Sequence, residues 1–159
     1  MAEISQILLY VIICEAAGLI GGIFTSRSIP SWYKKLKKPK INPPSWIFGP
    51  VWTILYALMG VSIAIVLSIN SGFFIAQKFG IMLFWTQLGL NILWSIIFFG
   101  MKKPGLAFLE IILLWIAIVA TIYEFFFVSS TAAGLLVPYL LWVSFASVLN
   151  FLIWRLNRK

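Results

Sequence analysis

Five long apolar stretches, separated by short polar connections, limit the folds available to this 159-residue chain. The stretches cover approximately residues 6–24, 46–69, 79–100, 106–128 and 132–154. Each is close to the length of about 20 residues that an α-helix needs to cross a bilayer. Strands of a membrane barrel would be shorter and would alternate apolar with polar positions, whereas these stretches are continuously apolar. The pattern predicts an all-α membrane protein, a compact bundle of five transmembrane helices forming a single domain.

Composition supports membrane insertion and excludes several kinds of active site. Hydrophobic residues make up 62% of the chain and charged residues only 10%, which is far from the composition of soluble domains. The chain has no histidine and no aspartate, and Cys14 is its one cysteine. An intrachain disulfide, the usual zinc sites and a serine–histidine–aspartate triad are therefore excluded. We predict no catalytic residue, no metal site and no cofactor.

The basic residues are divided unequally between the two ends of the predicted helices. One end has only Lys78, and the other end has all the remaining basic residues. These are Arg27, Lys34, Lys35, Lys37, Lys38 and Lys40 in the first loop, Lys102 and Lys103 in the third, and Arg155, Arg158 and Lys159 at the end of the chain. Because basic loops stay on the cytoplasmic side of a membrane, this bias predicts an external N-terminus and a cytoplasmic C-terminus. Because the basic residues follow the predicted topology, the net charge of +8 does not indicate nucleic-acid binding.

Polar and aromatic residues repeat at helical spacing on three of the predicted helices. They are Trp52 and Tyr56 on the second helix, Gln87, Asn91, Trp94, Ser95 and Phe98 on the third, and Tyr139, Trp142, Ala146 and Asn150 on the fifth. Lipid disfavours such stripes, so they are expected to face protein or a cavity. Two interpretations stay open at this point, namely hydrogen bonding between helices and the wall of a small-molecule pocket.

Three of the four glutamates lie in apolar stretches, where an ionised carboxylate is unfavourable. Glu110 and Glu124 share one face of the fourth predicted helix, but they are separated by about 21 Å along the helix axis. That separation excludes a catalytic carboxylate pair. A proton path and positions near the two membrane interfaces are the alternatives for these residues, and the second is favoured. For Glu15, a proton path and packing against a neighbouring helix both stay open.

Several motifs resemble, in order and in spacing, those of the translocator protein family, also called the tryptophan-rich sensory protein or peripheral-type benzodiazepine receptor family. The matching segments are WYKKLKKP at 32–39, the Pro43-Pro44 pair, GPVWTILYALMG at 49–60, QLGLNILWSIIFFG at 87–100 and VPYLLWVSFASVLNFLIWRLN at 137–157. The similarity extends from the first predicted helix to the C-terminus. So many matching segments in register are not expected by chance.

The resemblance implies a five-helix bundle, often a homodimer, with a ligand pocket capped by the first loop, residues 25–45. The family's ligands are porphyrins and haem-pathway intermediates, sterols, and synthetic benzodiazepine-type compounds. By motif, the family's pocket residues correspond to Tyr33, Pro43, Trp52, Asn91, Trp94, Trp142, Phe145 and Ala146. Tryptophan rings would stack on a planar ligand, and Asn91 would orient that ligand through a hydrogen bond.

Two positions depart from the family pattern. Ile41 stands where many members have a tryptophan before the double proline, which argues against chemistry that depends on a tryptophan in this loop. Phe151 stands where the family's cholesterol-recognition pattern has a tyrosine. That pattern is weak even when it is intact, so tight sterol binding is not expected here.

The sequence therefore predicts a membrane receptor or carrier that senses, scavenges or transports porphyrin-like ligands. The alternatives are a porphyrin-degrading enzyme that uses light and oxygen, as the resemblance implies for some family members, and a purely structural membrane protein. The absence of a targeting segment and the short termini predict the cytoplasmic membrane of a prokaryote. The mitochondrial outer membrane is the alternative location.

Overall fold

The structure, a computed structural model, describes residues 2–70 and 72–158, and nearly all of them are helical. The helices are α1 (Ile4–Ser28), α2 (Phe48–Ser68), α3 (Phe74–Ser95), α4 (Pro104–Val128), α5 (Ser130–Leu135) and α6 (Val137–Asn157). Lys159, one of the basic residues used to predict topology, lies outside the described residues.

Five helical segments are long and apolar enough to cross a membrane. They are Ile4–Tyr33, Ser45–Ser68, Phe74–Gly100, Pro104–Val128 and Ser130–Asn157. Each contains at least 24 residues, which exceeds the about 20 residues required to span the hydrocarbon core. The predicted class, an all-α membrane protein with five spanning helices, is confirmed.

The first helical segment extends further than the apolar pattern indicates, because α1 continues into a π-helical turn at Ile29–Tyr33. Pro30 lies at the start of this turn, and a wider turn accommodates a residue that has no backbone N–H. The hydroxyls of Thr25 and Ser31 donate to the carbonyls of Gly21 and Arg27, four residues earlier. These internal bonds allow polar residues to continue the helix. The first loop is consequently limited to residues 34–44.

The fifth spanning segment is interrupted between α5 and α6, at Leu136. Pro138 lies in the first turn of α6, where its missing N–H is tolerated. The Ser129 hydroxyl accepts a hydrogen bond from the Ala132 amide and caps α5. The helix is therefore interrupted in the turn before Pro138.

The helices enclose one core and leave space next to α2. α3 packs along α4, α1 along α2, and α6 along α4. α2 also packs on the short α5, and the Ser62 hydroxyl donates to the carbonyl of Ala132 at 2.8 Å. The long helix α6 is not packed closely along α2 in the same way. A gap between α1, α2 and α6 follows from this arrangement.

The backbones of α1 and α2 approach each other closely at Gly60. A Cβ atom at Gly60 would overlap the backbone of Val11 on α1. Backbone atoms cannot move aside as a flexible side chain can, so only glycine permits this approach. The contact lies away from the gap and fixes the distance between the two helices.

Gly60→Ala is expected to destabilise the protein by about 1–3 kcal/mol, because the new methyl group forces α1 away from α2. Gly89→Ala is the matched control, since a Cβ at Gly89 meets no atom within 4 Å. Thermal unfolding in detergent micelles measures the difference between the two variants. Equal unfolding temperatures would contradict the assigned helix contact.

Candidate ligand-binding cavity

A cavity of about 530 Å³ occupies the gap between α1, α2, α3 and α6. We call it the tryptophan cavity, because Trp52, Trp94 and Trp142 lie in its wall. Its volume falls in the range of about 300–1,000 Å³ that is typical of small-molecule sites. Exposed lining residues on α1 and α2, such as Leu19 and Thr53, show that it is open between these helices.

Aromatic side chains hold the three tryptophan rings in place. Trp52 stacks on Tyr56 with ring centroids 5.5 Å apart, and Trp94 stacks on Phe98 at 5.2 Å. Trp142 meets the edge of Phe48 at 6.1 Å. Such stacked and edge-to-face pairs restrict the rings without using hydrogen bonds. The cavity therefore presents rigid, flat, apolar walls.

Glycines on α1 and α2 create the space between these walls. A Cβ at Gly18 would overlap the Tyr56 ring, and a Cβ at Gly21 would lie 3.0 Å from the Ser95 hydroxyl. In contrast, a Cβ at Gly22 or Gly49 would meet no atom within 4 Å. Both of these open positions line the tryptophan cavity. Larger side chains there would occupy space that is now empty.

Behind the cavity wall, Asn91 connects three helices. Its carbonyl oxygen accepts a hydrogen bond from the Tyr56 hydroxyl on α2, and its amide nitrogen donates to Tyr139 on α6 at 3.0 Å. All three residues are buried, with exposed fractions of 5% or less. The helix-bonding interpretation of the polar stripes is therefore correct for Asn91, whose side chain lies behind the cavity and not in its lining.

A second asparagine fixes one of the wall tryptophans. Asn150 accepts a hydrogen bond from the indole nitrogen of Trp94 at 3.0 Å and donates to the carbonyl of Pro104 at 2.7 Å. The indole nitrogen of Trp142 differs, because it is shielded from solvent and has no hydrogen-bond partner among the described residues. The ring of Trp142 thus lines the cavity, while its unpaired indole nitrogen is buried away from the cavity surface.

The first loop is fastened by two asparagines. The hydroxyl of Tyr33 donates to Asn42 at 2.9 Å, and Asn42 donates to the carbonyl of Pro43. Asn157, at the end of α6, accepts from the amide of Lys37 and donates to its carbonyl, at 3.0 and 2.9 Å. These bonds attach the loop to the helix that carries Trp142.

The structure places the eight residues identified by family resemblance in two groups. Trp52, Trp94, Trp142 and Ala146 line the tryptophan cavity, whereas Tyr33, Pro43, Asn91 and Phe145 do not. Tyr33 is 3% exposed, because it packs against Phe98 and Phe99. Phe145 lies beside Trp142, with ring centroids 5.7 Å apart.

The sequence patterns missed several lining residues, among them Glu15, Gly22, Phe48 and Phe99. Glu15, Gly18 and Gly22 share a face of α1, and this pattern alone did not distinguish helix packing from a cavity. For Glu15 the sequence left a proton path and packing against a neighbouring helix open, and the structure places this residue in the lining of the cavity. The gap between α1 and α2 explains this position.

The two glutamates of α4 have different surroundings. Glu110 is 6% exposed and lies inside the bundle, and neither carboxyl oxygen has a hydrogen-bond partner among the described residues. Glu124 is half-buried and lies close to Gly80 of α3. The side chain of Glu110 is thus turned into the bundle, and the expected positions of the two residues near the membrane interfaces stay a prediction. Neither residue lines the tryptophan cavity.

The fold and site define a five-helix integral membrane protein with an aromatic cavity that is open between its first two helices. The sequence model of the TspO/MBR family matches residues 10–155. The chain is 47% identical over 156 residues to the tryptophan-rich protein TspO of Chlorobaculum tepidum, covering 98% of each chain. It is 38% identical over 138 residues to the human translocator protein, covering 87% of this chain and 82% of that protein. The chain therefore belongs to the TspO/MBR family.

A relative from an archaeon extends this similarity. The tryptophan-rich protein TspO of Archaeoglobus fulgidus is 45% identical over 142 residues, covering 89% of this chain and 90% of the relative. The translocator protein and tryptophan-rich sensory protein family that the motifs resemble is thereby confirmed.

Asn91→Leu is expected to lower the stability of the protein by about 1–3 kcal/mol, because it leaves the hydroxyls of Tyr56 and Tyr139 unpaired. Asn70→Leu, in the exposed connection after α2, is the control for the added apolar side chain. Thermal unfolding in micelles compares the two variants. An unfolding temperature for Asn91→Leu equal to that of the wild type would contradict the three-helix connection.

Proposed function

We propose that this protein binds porphyrins and related flat hydrophobic ligands in the tryptophan cavity, as a tetrapyrrole sensor or carrier. The observation that carries the proposal is the cavity wall made by Trp52, Trp94 and Trp142. Indole rings bury a large apolar area and stack on planar molecules. A cavity of about 530 Å³ also leaves room for a ligand much larger than water.

The polar groups of the site suit a tetrapyrrole with carboxylate side chains. Ile29 and Ser45, which flank the first loop, line the end of the cavity nearest to its lysines. We infer that the ring system enters the cavity and that the carboxylates lie toward the lysines of residues 34–40. Charge attraction there would orient the ligand without burying an anion.

The names of the relatives agree with a binding role. They include a tryptophan-rich sensory protein from Cereibacter sphaeroides and the translocator proteins of several mammals. Sensing and translocation both require a site that takes up and releases a ligand. The side opening between α1 and α2 provides a route for exchange with the bilayer. We therefore propose ligand binding and release as the function, without a catalytic step.

Gly22→Leu tests the proposed site, because the new side chain fills empty space in the cavity. Tryptophan fluorescence of the purified protein is expected to be quenched on titration with protoporphyrin. The variant should weaken this binding at least about tenfold, which corresponds to 1.4 kcal/mol. Gly89→Leu, also a position with no atom within 4 Å of an added Cβ but outside the cavity, should bind like the wild type.

Two results of the titration would contradict the proposal. Absence of quenching at micromolar protoporphyrin would rule out the proposed function. Equal binding by the wild type and Gly22→Leu would place the ligand outside the tryptophan cavity. Thermal unfolding of both leucine variants shows whether the fold is retained.

We also propose an external N-terminus and a cytoplasmic C-terminus in a prokaryotic membrane. The charge bias supports the orientation, and the bacterial and archaeal relatives support the membrane. The homodimer implied by the resemblance stays a prediction. Gly18 and Gly21 already contact Tyr56 and Ser95 within the bundle, whereas Gly89 faces open space.

The orientation predicts which engineered cysteine a membrane-impermeant maleimide labels in intact cells. Gly72→Cys, on the proposed external side, should be labelled, and Lys103→Cys should be labelled only after the membrane is opened. Both positions are exposed, and the native Cys14 is buried, so background labelling should be low. The reverse pattern would overturn the orientation.

A further inference from the structure

The tryptophan cavity contains a carboxyl group that the proposed porphyrin binding does not use. Glu15 lines the cavity on α1. Across the described part of the chain, it is the one lining residue with a formal charge, and no lysine or arginine accompanies it. A carboxylate in largely apolar surroundings is unfavourable unless it has a partner. Its position in the wall therefore requires a physical explanation.

The surrounding side chains do not supply that partner. Among residues 2–70 and 72–158, no side chain forms an ion pair with Glu15 or donates a hydrogen bond to it. Gly18, one turn further along α1, lies against the ring of Tyr56. Tyr56 in turn stacks on Trp52. Glu15 therefore lies one helical turn from the point where α1 meets this stacked pair, and the faces of aromatic rings attract cations.

The two ends of the cavity have opposite electrostatic character. Glu15 on α1 and Ile29 in the following π-helical turn mark the ends of its lining on the first helical segment, and about 21 Å of helix separates them. The lysines of residues 34–40 lie just beyond Ile29, at the loop end. A carboxylate and aromatic faces are at the other end. This polarity distinguishes ligands by the position and sign of their charge.

We propose that Glu15 makes this end of the cavity a recognition site for a cationic nitrogen, so that the protein favours flat aromatic ligands carrying a protonated amine. The proposal rests on the proposed function, because it requires that flat ligands occupy the tryptophan cavity. The ammonium or ring N–H donates to the Glu15 carboxylate and contacts the faces of Trp52 and Tyr56. Anionic groups of the same ligand lie toward the loop lysines.

Two probes with the same ring system test the proposal. 9-Aminoacridine is a flat cation at pH 8, and acridine is neutral at that pH. Both are titrated against the purified protein in an uncharged maltoside detergent, with tryptophan fluorescence as the signal. The wild type should bind the cation at least about tenfold more tightly than the neutral probe, as expected for a charge-assisted contact.

Glu15→Gln preserves the shape of the side chain and removes its charge. This variant should lose the preference for 9-aminoacridine while its affinity for acridine stays within about twofold of the wild type. Glu124→Gln is the matched control, because it removes a half-buried glutamate from another membrane helix, outside the cavity. The control should keep the full preference. Thermal unfolding confirms that both variants are folded.

The possible results separate the failure of this proposal from the failure of the proposed function. If Gly22→Leu abolishes acridine binding but Glu15→Gln keeps the preference for the cation, the role of Glu15 is wrong and the cavity assignment stands. The same holds if the wild type shows no preference. If neither probe binds, or if 9-aminoacridine binds equally to Gly22→Leu, the Glu15 proposal fails, and the protoporphyrin titration of Gly22→Leu decides separately whether the proposed function stands.

Discussion

The hydrogen bonds of Asn91 are the interaction on which the arrangement of the site depends. Asn91 joins Tyr56 of α2 and Tyr139 of α6 within the core of the bundle. No water competes for these bonds in a bilayer, so each polar group must find a partner inside the protein. The connection holds α2 and α6 together through α3, although the two helices are not packed along each other. The space left between them is the tryptophan cavity.

Polar and aromatic side chains have separate roles throughout the site. Asparagines behind the wall bind protein groups, and aromatic rings in the wall face the cavity, as shown by Asn150 and Trp94. On the α1 side, the cavity is empty beside Gly22 because glycine has no side chain to fill it. The wall is rigid because its polar supports are satisfied, and its surface is apolar because few polar groups remain. Glu15 is the exception, because this charged residue lies in the lining.

The expectations from the sequence differ in how far the structure supports them. Five spanning helices followed directly from apolar length, and the buried stripe of α3 followed from its spacing. Spacing did not distinguish Asn91 from Trp94. The amide group of Asn91 is hydrogen-bonded to two tyrosines, whereas Trp94 lines the cavity. Nor did spacing reveal that Tyr33 is enclosed by phenylalanines. Which partners satisfy a polar group depends on neighbouring helices that periodicity does not identify.

The sequence by itself determined the membrane class, the number of spanning helices, the family motifs and the distribution of basic residues, because each depends on local length, composition or order. Only the tertiary structure decided that α1 separates from α2 near Gly22 and that Glu15 faces the resulting space. The physical reason is that a cavity is a property of the distance between helices. That distance is set by long-range contacts such as Gly60 against Val11 and Asn91 against two tyrosines.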